Sequence, residues 1–158
     1  MPGILQGKHI VLGVTGGIAA YKACELTSRM KKAGADVHVI MTANACRFVC
    51  AQTFETLSAN PVCSDMFNTN HPWDVEHVSL AKMADLFVIA PATANIIGKM
   101  ANGIADDMLS TTVMATRAPV LIAPAMNTGM LENAAVQDNL ALLRIVILVR
   151  KRITIRTY

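Results

Sequence analysis

Residues able to do chemistry gather in a few short stretches of this sequence. The first, Gly13-Val14-Thr15-Gly16-Gly17-Ile18, follows an apolar run and leads into Lys22, Glu25, Arg29 and Lys32 at helical spacing. A glycine-rich turn that opens a helix presents free amide groups at the positive end of the helix dipole, which favours an anion such as phosphate. The same glycines also serve a plain strand-to-helix turn, and the loop lacks both GxGxxG spacing and a P-loop lysine. Thr42 closes a second apolar run, where a dinucleotide site usually carries an acidic side chain for the adenosine ribose. A hydroxyl there removes repulsion and supplies a donor, which suits a mononucleotide phosphate held at Thr15, Gly16, Gly17 and Thr42. It suits a helix cap equally well.

A third stretch, APATAN at 90–95, sets Thr93 and Asn95 beside small alanines that leave room for a flat ring. Helix initiation after a proline accounts for it as well. His77 is a candidate for proton transfer near neutral pH, or a histidine that caps a helix start. His9 and His38 fall within predicted strands and read as structural, and His71 lies on a predicted loop. No spacing brings three metal ligands together, so no metal is expected. Cys24, Cys46, Cys50 and Cys63 show neither zinc-type pairing nor the density of a secreted scaffold. Cys46 and Cys50 can share a helix face, and ordinary burial accounts for them too.

These residues need elements to position them. Residues 8–14 predict a strand followed by a tight turn and a helix, with Ala19, Ala23, Leu26 and Met30 on its apolar face and Gly34 as a left-handed cap. Asp36 to Met41 predicts a second strand, with helical stretches at 44–49 and 53–58, a short strand near Val62 and a loop over 64–76. A short helix from His77 leads to a strand over Leu86 to Ala90 that breaks at Pro91. Helical residues from Ala94 to Thr116, interrupted near Asn102-Gly103, precede a strand over Val120 to Ala123 and a helix over about 133–143. Strands alternating with helices imply a doubly wound parallel sheet flanked on both faces, one three-layer α/β domain. Ligands in such folds bind beyond the carboxyl ends of the strands, which directs attention to loops 15–17, 42–44, 91–95 and 124–130.

Bulk composition narrows the class further. The 158 residues suffice for one domain, and with 53% hydrophobic but 4% aromatic residues the core must be built from Ala, Val, Ile, Leu and ten Met. No apolar run approaches the roughly 20 residues of a membrane helix, and the first residues lack a long hydrophobic stretch, so a cytoplasmic protein is expected. Five cations and no acids fall in residues 141–158, while residues 1–140 hold nine Lys and Arg against eleven Asp and Glu, a net of −2. The body is therefore not a basic nucleic-acid-binding surface.

Taken together, VTGGIAAYK at 14–22, EHVSLAKMADLFVIAPATAN at 76–95, NGIADDMLST at 102–111 and APAMNTGM at 123–130 resemble the flavin-dependent cysteine decarboxylases, in particular the bacterial branch that serves coenzyme A biosynthesis. The resemblance covers roughly residues 7–140, and its most specific element is PxMNxxM at Pro124 to Met130. It implies a Rossmann-like, flavodoxin-like fold and FMN at a contact between subunits of a trimer, or a dodecamer built of trimers. By motif, Gly16, Gly17, Ile18 and Thr42 would meet the FMN phosphate and ribose, and Thr93, Ala94, Asn95 and Ala125 would line the flavin. His77 would be catalytic, and Asn127, as a second catalytic residue, would with Met130 meet the substrate carboxylate. The implied substrate is phosphopantothenoylcysteine, converted towards phosphopantetheine. Alternatives are a peptidyl-cysteine decarboxylase that stops at the enethiol and a flavin-binding regulatory protein without turnover.

The chemistry gives these residue types a reason. Loss of carbon dioxide from a cysteine carboxylate leaves a carbanion with nowhere to delocalise, and in this family the flavin first withdraws a hydride from the carbon bearing the thiolate. After Leu140 the resemblance stops. Family members continue through a glycine-rich substrate flap with a cysteine that serves reduction of the enethiol, whereas residues 141–158 contain neither glycine nor cysteine. The sequence thus divides into an FMN-binding region over 1–140 and an atypical basic tail over 141–158. A divergent ending and a reading-frame change or truncation both account for that tail, and the expectation is a chain that decarboxylates but stalls at the enethiol.

Overall fold

The computed structural model describes residues 3–66, 76–150 and 154–155, those beyond 144 by their backbone. His71 and most of the loop expected over 64–76 lie outside the described residues. The elements run β1 (His9–Val14), α1 (Ala20–Lys32), β2 (Asp36–Met41), α2 (Ala51–Ser58), β3 (Val62–Cys63), α3 (Glu76–Met83), β4 (Leu86–Ala92), α4 (Ala94–Ala101), α5 (Met108–Ala115), β5 (Val120–Pro124), α6 (Thr128–Glu132), α7 (Ala134–Arg150) and β6 (Thr154–Ile155).

All strand pairings are parallel, in the order β3-β2-β1-β4-β5-β6, so a five-stranded sheet is extended at one edge by the two-residue β6. Because neighbouring side chains on a strand point to opposite faces, the sheet feeds two cores. Ile10, Leu12, Val14, Val37, Val39 and Met41 pack on one side with Ala20, Ala23 and Met30 of α1 and Phe54 of α2. Val11, Ile40, Phe87, Ile89 and Ile122 pack on the other with Ile96 and Ile97 of α4, Leu109 of α5 and Leu140 of α7. Each fully buried Val, Leu, Ile, Met or Phe among them contributes roughly 1.5–3 kcal/mol by leaving water. This two-sided burial explains why the sheet can be built with so few aromatic residues.

Local chemistry sets the helix ends. In α1 the buried positions Ala20, Ala23, Thr27 and Met30 recur every three or four residues, and Arg29, Lys31 and Lys32 in the last turn complement the helix dipole. Gly34 then adopts φ +96°, the left-handed conformation expected of it, and its N–H bonds the Lys31 carbonyl. In α5 the Asp107 carboxylate accepts the Ser110 N–H at 2.8 Å while the Ser110 hydroxyl accepts the Asp107 N–H at 3.1 Å, a reciprocal cap.

Four elements differ from the sequence reading. β4 does not stop at Ala90 but continues through Pro91 to Ala92, across a cis Ala90–Pro91 peptide and a register shift against β5. A proline is tolerated there because the ladder is already irregular where its N–H is missing. A short helix, α6, precedes the one expected from about residue 133, and that following helix, α7, runs past Leu143 to Arg150 across the Leu140 boundary. β6 pairs with β5 within the stretch read as tail.

Candidate functional site

The strand order reverses between β1 and β4, and the loops leaving the carboxyl ends of β1, β2, β4 and β5 enclose a cleft of about 1280 Å³ there. Thr15 forms its floor and is buried. Its hydroxyl donates to the Pro91 carbonyl at 2.6 Å and accepts the Thr93 N–H at 3.0 Å, so one side chain ties the loop after β1 to the loop after β4. Each bond contributes on the order of 1 kcal/mol, and leaving a buried partner unpaired costs about 1–3.

One wall is the start of α1. Its N-cap, Ala19, has a methyl side chain that cannot accept a hydrogen bond; the Ala20 N–H bonds the Gly17 carbonyl at 2.9 Å and the Lys22 N–H the Ala19 carbonyl at 3.0 Å, so backbone alone closes part of this helix end. Gly16, Gly17 and Ile18 bring that end to the cleft, and Thr42 lines the same cleft. Thr42 Oγ1 accepts the Ala45 N–H at 3.2 Å, although Asn44 and not Thr42 is the N-cap of the 3-10 turn over Ala45–Arg47, and its own proton is left to donate. The arrangement is a helix N-terminus without a side-chain cap in the same cleft as a hydroxyl, which favours a phosphate-like anion.

The other wall is made by Thr93, Ala94 and Asn95 at the start of α4 and by Ala125 after β5. Ala125 is fixed by its N–H to the Ala92 carbonyl at 3.0 Å. Small side chains on this wall leave a broad apolar slot. At the rim, the Asn127 Oδ1 accepts the Gly129 N–H at 2.9 Å and caps α6, which leaves the amide NH2 to donate elsewhere, and Met130 is 51% exposed.

The fold thus gathers Gly16, Gly17, Ile18, Thr42, Thr93, Ala94, Asn95, Ala125, Asn127 and Met130 around one cleft. His77 is not among its lining residues. It is the second residue of α3, half-buried, on a helix that packs against α5 and β1.

Three charged lining residues, Lys22, Lys99 and Asp107, were given no role in the site by the sequence reading. Lys99 Nζ lies 2.6 Å from both Asp106 Oδ1 and Asp107 Oδ2, and Lys99 and Asp107 face the cleft. Burial disfavours the charge on Lys99, but the hydrogen bonds and charges of the two carboxylates outweigh it and hold the ammonium above its ordinary range. Burial likewise raises Asp107, and the Lys99 and Ser110 hydrogen bonds override it, so the carboxyl sits below its usual range. Lys99 falls one helical turn after Asn95, so the i, i+4 rule was the available signal.

A family model described as Flavoprotein matches residues 2–152. The chain belongs to the flavoprotein family. Its curated relatives include the coenzyme A biosynthesis bifunctional protein CoaBC of Bacillus subtilis, 54% identical over 140 residues that make up 89% of this chain and 34% of that protein. CoaBC of Mycolicibacterium smegmatis is 50% identical over 137 residues, 87% of this chain and 33% of the relative. This flavoprotein therefore spans about a third of the length of the curated relatives it matches. Among solved structures, the FMN-dependent cysteine decarboxylase SpaF superposes with a TM-score of 0.85 at 33% identity, covering 96% of this chain and 85% of that one. A variant of PPC decarboxylase complexed with pantothenoylaminoethenethiol superposes at 0.79 and 28% identity, covering 94% and 81%.

Proposed function

We propose that this flavoprotein holds FMN in the cleft and decarboxylates phosphopantothenoylcysteine towards phosphopantetheine, in the cytoplasm, as a step of coenzyme A biosynthesis. The observation that carries this reading is the pairing, within one cleft, of Thr42 and an α1 N-terminus that no side chain caps with a slot lined by Ala94 and Ala125. The first fits a phosphate and the second fits a flat ring. A volume of about 1280 Å³ also exceeds the roughly 300–1,000 Å³ of ordinary small-molecule pockets, which leaves space for a substrate beside a cofactor. Likeness to the CoaBC proteins favours the free phosphorylated substrate over a peptide.

FMN, when bound, supplies a ring that takes two electrons from the carbon bearing the substrate sulfur, which allows the adjacent carboxyl group to leave. Gly16, Gly17, Ile18 and Thr42 would hold its phosphate and ribose, and Thr93, Ala94, Asn95 and Ala125 its ring. Asn127, with an amide NH2 to donate, would orient the substrate carboxylate without the strong ion pair that would hold it back, and Met130 would cover it. His77 would take the thiol proton. Because His77 lies away from the cleft of its own chain, we propose that it serves a neighbouring subunit's cleft in a homotrimer, or in a dodecamer of trimers. Ile18, Tyr21 and Met130 expose apolar surface at or near the cleft mouth, which such a contact would cover. No helix among the described residues is long and apolar enough to cross a membrane.

The test is direct. Purified protein supplied with FMN is expected to retain the yellow cofactor through gel filtration and to release carbon dioxide from phosphopantothenoylcysteine, but not from a peptide ending in cysteine. Mass spectrometry of the product distinguishes the enethiol from the saturated aminothiol. A chain that stays colourless with excess FMN overturns the cofactor reading, and release from the peptide alone overturns the substrate.

A further inference from the structure

At the opposite end of the sheet three side chains with metal-ligating atoms converge. His9 opens β1, Asp36 opens β2, and the two are register partners, so parallel pairing sets their side chains on one face. His38 stands two residues after Asp36 and shares that face. The Asp36 Oδ2 lies 3.3 Å from His9 Nδ1 and 3.1 Å from His38 Nε2, and the three ligand atoms all lie within 4.8 Å of one another. Tetrahedral zinc with bonds of about 2.0–2.1 Å spaces adjacent ligand atoms roughly 3.3–3.5 Å apart. Asp36 therefore stands to both imidazoles at nearly the separation that one shared ion requires.

The carboxylate is also held in place from behind. Asn60 Nδ2 donates to Asp36 Oδ1 at 2.8 Å and to the Val37 carbonyl at 2.9 Å, and Lys31 Nζ lies 4.0 Å from the same Oδ1. One carboxylate oxygen is thus held by Asn60, and the other is hydrogen-bonded to His38 Nε2, a bond that a shared ion would replace. Outer partners of this kind orient metal-ligating carboxylates in general. Lys31 opposes a cation, but it approaches the far oxygen and remains partly in water. The side chains are 46% (His9), 42% (Asp36) and 19% (His38) exposed, which leaves an entry path and room for water.

We propose that His9, Asp36 and His38 form a second site that binds one divalent cation of the zinc class, with water in the fourth position. Two imidazole nitrogens and one carboxylate suit Zn²⁺, Co²⁺, Ni²⁺ or Cu²⁺, whereas Mg²⁺ and Ca²⁺ call for oxygen ligands. The six residues of β1 separate this site from Thr15 by about 20 Å, so it acts apart from the cleft.

Titration calorimetry of the full chain with zinc chloride, and visible absorption with Co²⁺ as the probe, test the proposal. The expected result is one ion per chain, with a ligand-field band of four-coordinate cobalt and no sulfur-to-cobalt charge-transfer band. His9→Ala and His38→Ala should each lower affinity by more than the roughly 10–100-fold expected of Asn60→Ala, which removes an outer partner. Cys46→Ser with Cys50→Ser should leave affinity unchanged, as should loading with FMN. No binding, a thiolate charge-transfer band, or equal affinity in the wild type and the His9→Ala, His38→Ala double variant would overturn it. The cobalt spectrum of the wild type decides the matter even if a variant folds poorly.

Discussion

Gly16 packs so closely on Asn44 that a methyl group added to it would stand 2.3 Å from the Asn44 Cβ and 2.8 Å from the Asn44 carbonyl carbon. The loops after β1 and β2 are in contact here because one of them lacks a side chain, and this contact brings the α1 N-terminus up to Thr42.

Gly16→Ala should therefore push the two loops apart. We expect a loss of about 1–3 kcal/mol in urea denaturation, as for other overpacked sites, and a clear weakening in a fluorescence titration with FMN. Gly17→Ala is the control, because a methyl there meets only Thr93 Cγ2 at 3.6 Å, an ordinary contact. It should leave stability within about 0.5 kcal/mol of the wild type.

Thr15→Val keeps the shape of the side chain but removes the hydroxyl that serves Pro91 and Thr93. With a buried carbonyl and a partly buried N–H left unpaired, a loss of roughly 1–3 kcal/mol is expected. FMN affinity should fall with it, since the spacing of the loops after β1 and β4 is no longer fixed. Unchanged flavin affinity would mean that the tie is purely structural.

Asp107 titrates below the ordinary carboxylate range in the folded chain, so it contributes stability that is complete above the unfolded value of about 3.9 and is lost as pH falls through the folded value. Asp107→Ala should cost about 1–2 kcal/mol at pH 7 by uncapping α5. The gap in denaturation midpoint between variant and wild type should narrow below about pH 4, and a gap that stays constant to pH 3 would contradict the assignment.

If His77 serves a neighbour's cleft, His77→Asn and Asn127→Ala should be separately inactive, and mixed oligomers of the two should regain part of the decarboxylation rate. His77→Asn alone should retain FMN. No recovery after co-refolding, with mixed oligomers verified by mass spectrometry, would place both residues in one subunit's site.

Cys63 donates its S–H to the Glu76 carboxylate at 2.8 Å; burial, followed by that hydrogen bond and charge, pushes its thiol far above the usual range. Cys46 and Cys50 are exposed. A thiol reagent at pH 8 should label Cys46 and Cys50 in the native protein, and Cys63 only after denaturation, as peptide mapping would show.

Much of the site was legible before the fold. The apolar run into Thr15, Gly16 and Gly17 marked a strand-to-helix turn, and the prolines at 91 and 124 marked the loops that later proved to enclose the cleft. These are local signals, set by hydrophobic periodicity and by which backbones a glycine or proline permits. The sequence did not show that β4 would run through Pro91, because that depends on a pairing irregularity with β5 that no residue in β4 announces. Lys99 and Asp107 were hidden for a related reason: they meet only when α4 and α5 fold back on one another.

What the sequence determined by itself was the alternation of strand and helix, the two buried faces of the sheet and the residue types along each loop, all of which depend on neighbours in the chain. Tertiary structure alone decided that Asn127 lines the cleft while His77 is not among its lining residues, and that His9, Asp36 and His38 converge. Convergence of residues distant in the chain follows from strand order and register, and those are chosen by the packing of the whole sheet rather than by any one segment.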